Sequence, residues 1–246
     1  MGVLTLVRHG QATFFEDEYD KLSPLGETQA RLLGEFWTDE CVQFSEVFSG
    51  PRVRQLRTAE IVGDVYRHAG LEWGHTQVLA ELDEYDSQAI MNGFLPILRE
   101  SDPLIRELAD RYNKSRAGPA GRAANADEAK SFQRVFEAVI RCWIAGRVSP
   151  PDVEQWRQFT SRVRSGIDRI LTAEGRARKV VVFTSGGPIA ATMQYALGLS
   201  DTKTIELNWQ VRNLSLTEFL FAEHRLTLDR FNALPHLRDR TLWSYR

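Results

Sequence analysis

A short, largely apolar run, Leu4-Thr5-Leu6-Val7, that ends at once in Arg8-His9-Gly10 constrains this chain more than any other stretch. A run of that length suits a buried strand and is far too short to span a membrane, so Arg8 and His9 are expected at the strand's carboxyl end. In open α/β sheets, ligands bind at the carboxyl ends of strands. Arginine offers a planar fork of donors that matches phosphate, glycine lets the backbone approach closely, and a neutral imidazole serves as nucleophile or proton carrier. The trio predicts a phosphate site.

The same order of strand, turn and helix recurs along the chain. Ser23-Pro24 reads as a helix cap with proline in the first turn, followed by Ala30, Leu33 and Trp37 at helical spacing. Val47-Phe48 is a second short strand, and Ser49-Gly50-Pro51 repeats the cap-and-proline signal before a stripe of Val53, Leu56, Ala59, Val62, Tyr66 and Ala69. Arg52 and Arg54 fall in that helix's first turn, where the helix end is already partly positive. An anion held by Arg54 and the free backbone N–H groups would resolve the conflict. A third strand is expected at Gln77-Val78-Leu79, with Glu81, Asp83, Glu84 and Asp86 just past it. That cluster is a source for a general acid, because a carboxyl group buried beside others stays protonated more readily. Lys179 to Thr184 is the clearest buried strand, and Ser185-Gly186-Gly187-Pro188 after it presents a second set of backbone donors to an anion.

Between these pieces the signal is helical. Residues from about 87 to 151 are expected to form a helical insertion over the site. It would have a break near Pro103 and a mobile Ala- and Gly-rich loop at Ala117 to Ala129. Two aromatic-rich stripes, from Phe132 to Trp143 and from Val153 to Ile170, read as core rather than as ligand contacts. Phe14 to Lys21 is an acidic, aromatic loop near the site. The carboxyl third gives β-rich runs at Asn213 to Leu220 and Leu226 to Phe231, spaced as a hairpin. The expected fold class is therefore α/β: a three-layer sandwich with a mostly parallel central sheet and helices on both faces. The expected organisation is a single domain over 1–246.

Composition excludes several classes. A formal net charge of -2 over 246 residues argues against non-specific nucleic-acid binding. Cys41 and Cys142 make neither a disulfide framework nor a metal spacing, and His68, Glu72 and His75 do not make one either. No basic segment precedes a long apolar run at the amino terminus, so neither a secretory signal nor a membrane span is expected, and the expected location is cytoplasmic. No cofactor or metal is called for. The expected partner is a small phosphorylated substrate or inorganic phosphate, with a homodimer as an allowed assembly.

Leu6-Val7-Arg8-His9-Gly10-Gln11-Ala12, then Leu25-Gly26 with Gln29-Ala30, then Ser49 to Glu60, and Leu79-Ala80-Glu81 follow one another in an order that resembles the histidine phosphatase superfamily. The superfamily includes the cofactor-dependent phosphoglycerate mutases, and the resemblance runs from about residue 3 to 237. It implies that His9 accepts the phosphoryl group as a phosphohistidine. Arg8 and Arg54 would bind the phosphoryl oxygens, and Glu81 would protonate the leaving oxygen and then help activate water. Gln11, Ser185 and Gly186 complete the implied phosphate-binding set.

Two positions depart from the family pattern. Ser185 stands where relatives carry a second histidine in a Ser-His-Gly-Gly type sequence, and Phe15 stands where many carry an asparagine. A hydroxyl still donates to a phosphoryl oxygen but lacks the charge of an imidazolium, so reduced activity is expected. His224 and His236 are poor substitutes; His236 lies in a segment similar to the family's structural Asn…His-Leu pattern. The resemblance favours a phosphomonoesterase over a mutase. It leaves as its rival a phosphate-binding pseudoenzyme acting as a sensor or interaction module.

Overall fold

The apolar runs meet side by side in a computed structural model that describes residues 1–13, 20–116, 122–173, 175, 177–222 and 225–245, with backbone only for 122–126. Among these residues six strands, β1 (Gly2–Arg8), β2 (Glu46–Ser49), β3 (Thr76–Val78), β4 (Lys179–Thr184), β5 (Leu216–Ala222) and β6 (Arg225–Ala233), form one sheet in the order β3-β2-β4-β1-β5-β6. β1 and β4 run parallel in a register that sets Leu4 opposite Val180 and Arg8 opposite Thr184. β2 is parallel to both β4 and β3, whereas β5 runs antiparallel to β1 and β6. The sheet is thus mostly parallel and the chain is α/β, as expected.

Among the described residues eight α-helices accompany it: α1 (Pro24–Asp39), α2 (Val53–His68), α3 (Ser87–Ser101), α4 (Pro103–Arg116), α5 (Arg122–Ile144), α6 (Trp156–Thr172), α7 (Gly186–Leu197) and α8 (Asp201–Asn208). None is long and apolar enough to cross a membrane. Alternation along the strands explains the layers, since successive side chains point to opposite faces. Val7, Val47, Val181 and Phe183 join one buried cluster with Ala30, Leu33 and Trp37 of α1 and Ala59, Val62 and Tyr66 of α2. Leu4, Leu6, Val180 and Val182, on the other parity, are equally buried, and α7 packs against β1. The strands in the middle of the sheet are covered on both sides, which is why they read as continuous apolar runs.

The chain separates into two compact units, one of Met1–Glu84 with Thr160–Arg246 and one of Tyr85–Phe159. The second is held by an aromatic group in which Trp143 lies 5.2 Å from Trp156 and Tyr85 lies 5.6 Å edge-on to Phe159. Its helices break at Pro103, where proline cannot supply the backbone donor a continuous helix needs. The expected loop at 117–129 is corrected in part. Residues 122–129 belong to α5, and 117–121 lie outside the described residues.

Local signals set most helix starts. The Ser23 hydroxyl accepts from the Gly26 N–H at 3.1 Å, with Pro24 in the first turn. The start of α2 differs from the cap expected at Ser49. Ser49 stays in β2, paired with Val78 and Phe183, and the helix begins after Arg52. The strand ladder outweighs the cap because Gly50 N–H also donates to Phe183, at 2.9 Å. Helix α8 was not foreseen, although Ser200 caps it through Lys203 N–H.

Candidate active site

His9 is the first residue after β1, and its backbone is fixed from two directions. Its N–H donates to the Thr184 carbonyl at 2.8 Å, and its carbonyl accepts from Asn213 Nδ2 at 3.0 Å. The following glycine lies against α1, where an added Cβ would sit 2.6 Å from the Gly26 carbonyl oxygen, so only glycine allows this approach. His9 is 6% exposed. Its Nδ1 lies 2.7 Å from the Gly10 carbonyl oxygen. A carbonyl only accepts, so Nδ1 carries the hydrogen and Nε2 presents a lone pair. That lone pair receives a hydrogen bond from Arg54 Nε at 3.0 Å. Burial first, then the charges of Arg54 and Arg8, hold the His9 pKa well below the usual histidine value, against an opposing pull from the Gly10 hydrogen bond. His9 is a neutral imidazole whose Nε2 accepts from a guanidinium.

Arg54 is buried in the first turn of α2. Its second nitrogen, Nη1, donates to Asp20 Oδ1 at 2.7 Å, and the other oxygen of Asp20 accepts from Val53 N–H at 2.8 Å. The anion that the sequence calls for at this helix end is thus supplied by Asp20. Thr58 ties the turn to β1: its hydroxyl donates to the Arg54 carbonyl at 2.7 Å and accepts from Gly10 N–H at 3.1 Å. Arg8, the last residue of β1, donates through Nη1 to the Val211 carbonyl, and its charge reaches His9. Phe15 lies outside the described residues, as do the rest of 14–19 and His224.

Ser185 follows β4 as His9 follows β1, so the two stand at neighbouring strand ends. It is fully buried, and its Oγ accepts from Gln55 Nε2 at 2.7 Å. Gly186 then opens α7, where a Cβ would lie 2.5 Å from Asn208 Oδ1, and Gly187 N–H donates to Glu84 Oε2 at 3.1 Å. Glu84 therefore reaches the wall that carries Ser185.

The acid expected from the sequence is Glu81. It lies in a tight 3₁₀ turn, Ala80–Leu82, and its carboxylate is bound by Arg169 of α6. Gly166 makes room for it on α6, where an added Cβ would sit 2.8 Å from the Glu81 Cβ. Its own backbone N–H, then Arg169 and Arg162, hold its pKa below the usual carboxylate value despite some desolvation. A proton donor near neutrality needs the opposite shift. Gln11, of the expected phosphate-binding set, accepts from the Ser23 hydroxyl through its carboxamide oxygen at 2.9 Å. The sequence does not single out Asp20 or Gln55, and it offers Glu84 only as one of the acidic cluster after the third strand. Among the described residues no group of three or more His, Cys, Asp or Glu side chains gathers to hold a metal ion.

The fold has relatives among solved structures. Phosphoglycerate mutase from Bacillus anthracis str. Sterne superposes with a TM-score of 0.61 at 20% identity, covering 96% of this chain and 95% of that one. Phosphoserine phosphatase from Entamoeba histolytica, in complex with 3-phosphoglyceric acid, gives 0.59 at 16% identity over 96% and 100%. Mycobacterial glucosyl-3-phosphoglycerate phosphatase with inorganic phosphate gives 0.58 at 21% identity over 96% and 99%. No curated protein matches by sequence. The family model for the histidine phosphatase superfamily, branch 1, matches residues 4–92 and 104–234, so both arginine segments, the histidine and the late glycine turn lie within it. The chain belongs to the histidine phosphatase superfamily.

Proposed function

We propose that the chain is a phosphomonoesterase that releases inorganic phosphate from a small phosphorylated molecule through a phosphohistidine at His9. One observation carries the reading: His9 is buried, neutral and hydrogen-bonded at Nδ1, so the nitrogen left to act is Nε2, beside Arg54. The phosphoryl group replaces His9 as the acceptor of Arg54. The Nε2 lone pair then forms a bond to phosphorus as the ester P–O bond breaks, and the leaving oxygen takes a proton from the Glu84 carboxyl group. In the second half water attacks phosphorus, its proton passes to the Glu84 carboxylate, and the P–N bond breaks to restore the lone pair. Arg8 and Arg54 offset the charge on the transferring group, which is the main task in phosphoryl transfer.

Superfamily membership supports this chemistry, as do relatives that are phosphatases acting on or binding phosphoserine, phosphoglycerate or phosphate. The free thiols of Cys41 and Cys142 fit a reducing, cytoplasmic setting. The competing reading, a phosphate-binding pseudoenzyme, draws on the Asp20 carboxylate that already satisfies Arg54 and Val53 N–H, together with the neutral Ser185. Release of phosphate from p-nitrophenyl phosphate and from phosphoserine, compared between wild type and His9→Ala, separates the two. Hydrolysis lost in His9→Ala supports the phosphomonoesterase. Equal background rates, with phosphate binding retained, support the pseudoenzyme.

A further inference from the structure

Arg54 and Gln55 are consecutive in α2 yet serve two different strand ends: Arg54 reaches His9 after β1, and Gln55 reaches Ser185 after β4. The orientation of the Gln55 carboxamide follows from its other partner. Arg52 N–H donates to Gln55 Oε1 at 3.0 Å, and a backbone N–H only donates, so the amide nitrogen faces Ser185. That nitrogen also only donates. The Ser185 hydroxyl must therefore accept from it, which leaves the hydroxyl's own hydrogen for a different acceptor. Both side chains are fully buried, so the contact is shielded from water. Gly50 makes the arrangement possible, because a Cβ there would lie 2.2 Å from Gln55 Oε1 and 2.7 Å from the Leu82 carbonyl oxygen.

We propose that Gln55 is a positioning residue that holds the Ser185 hydroxyl as a neutral hydrogen-bond donor to the phosphoryl group on His9, so that Gly50, Gln55 and Ser185 together take the place of a charged wall. The inference rests on the phosphomonoesterase reading and deepens it. The register of β1 and β4 supplies the geometry, since His9 and Ser185 each follow one residue of the facing pair Arg8 and Thr184. A hydroxyl held in this way donates at every pH at which the enzyme is folded, whereas the charge of a histidine in its place would depend on pH.

The test is steady-state hydrolysis of p-nitrophenyl phosphate by wild type, Ser185→Ala, Gln55→Leu, the double variant and Gln55→Glu, each checked for folding by circular dichroism. Ser185→Ala is expected to lower kcat by on the order of 10²-fold, as loss of one transition-state donor does. Gln55→Leu is expected to lower kcat with little change in KM. The double variant should be no slower than Ser185→Ala alone, because the two residues act as one unit. Gln55→Glu keeps the size and the Arg52 contact, but its ionised carboxylate draws the Ser185 hydrogen to itself. Its kcat should therefore fall with rising pH and recover as the new carboxyl group is protonated. Multiplicative losses in the double variant, or a Gln55→Glu pH profile identical to wild type, would overturn the proposal. If Gln55→Leu does not fold, Ser185→Ala and the Gln55→Glu profile decide it. If wild type shows no His9-dependent hydrolysis, the phosphomonoesterase reading fails instead. Inorganic phosphate titrated into the same variants then tests the pairing: non-additive weakening upholds it and additive weakening removes it.

Discussion

Arg54 Nε donates to His9 Nε2 at 3.0 Å, so the nitrogen that would attack phosphorus is engaged by the cation that would also bind the phosphoryl oxygens. A substrate must therefore displace one contact to make two. The same guanidinium is held from behind by Asp20. Arg54→Lys keeps the charge but not the fork, and lysine is a point charge where a planar pair of donors is needed. We expect kcat to fall roughly 10² to 10³-fold. Asp20→Asn, which leaves the Arg54 to His9 contact in place, should cost less. Kinetics in which Arg54→Lys matches wild type would contradict this role.

The proposed acid is Glu84, where the sequence points to Glu81. Glu84 lies on the Gly187 N–H beside Ser185, whereas Glu81 is bound to Arg169. Glu84→Gln is expected to lower kcat by 10² to 10⁴-fold, the usual contribution of a positioned proton donor, with the larger loss for substrates that have poor leaving groups. Glu81→Gln should leave kcat within about threefold and slightly weaken the fold through the lost pair, since an exposed pair is worth roughly 0–1 kcal/mol. The reverse order of effects in a substrate series would return the role to Glu81.

Two histidines are kept neutral by the fold. His9 has its pKa well below the usual value through burial and two arginines, and His236, whose ring nitrogens have no hydrogen-bond partner among the described residues, is pushed down to about 3 by burial alone. Below about pH 6.5 the unfolded chain binds protons that the folded chain refuses, so stability is fully present above that pH and falls as the pH drops. The His236 contribution alone is about 1.4 kcal/mol per pH unit between about 6.5 and about 3. Urea unfolding from pH 7 to 4 should show this slope, and His236→Phe should flatten it. Activity should not share a histidine-like acid limb near pH 6.5 from His9. A limb there that vanishes in a variant retaining His9 would assign it elsewhere.

Supplying the charge that Ser185 lacks is not expected to help by itself. Ser185 is fully buried against Gln55, so the imidazole of Ser185→His enters space already filled, and overpacking of this kind costs typically 1–3 kcal/mol. Thermal unfolding should drop and kcat should not rise. Combining Ser185→His with Gln55→Ala clears the volume and should recover part of both. A gain in kcat from Ser185→His alone would show that the wall is not fitted to serine.

The features legible in the sequence are those written in local chemistry. β1 and β4 announce themselves as apolar runs because they are buried on both faces, and Ser23-Pro24 marks a helix start because cap and proline act within one turn. His9 and Arg54 were legible for the same reason, as a strand end and a first turn. The proposed choice of Glu84 over Glu81 was not. It depends on Arg162 and Arg169, some eighty residues away on α6, turning Glu81 aside. Gln55 left no signal of its own, since its role exists only once β4 brings Ser185 to it. Asp20 lay in view within an acidic loop, but only the fold shows that its carboxylate serves the end of α2. The shifted start of α2 has a similar cause: the pairing of Ser49 with both neighbouring strands overrides a good local cap.

The most direct measurement is capture of the intermediate. Wild type mixed rapidly with p-nitrophenyl phosphate and quenched in base, which preserves a phosphoramidate bond, should yield a phosphoprotein. Mass spectrometry should place the phosphoryl group on His9, and ³¹P NMR should place it on Nε2. The label should be lost in acid and absent in His9→Ala. Phosphate release at wild-type rate with no label on His9, or with the label on another residue, would contradict the account.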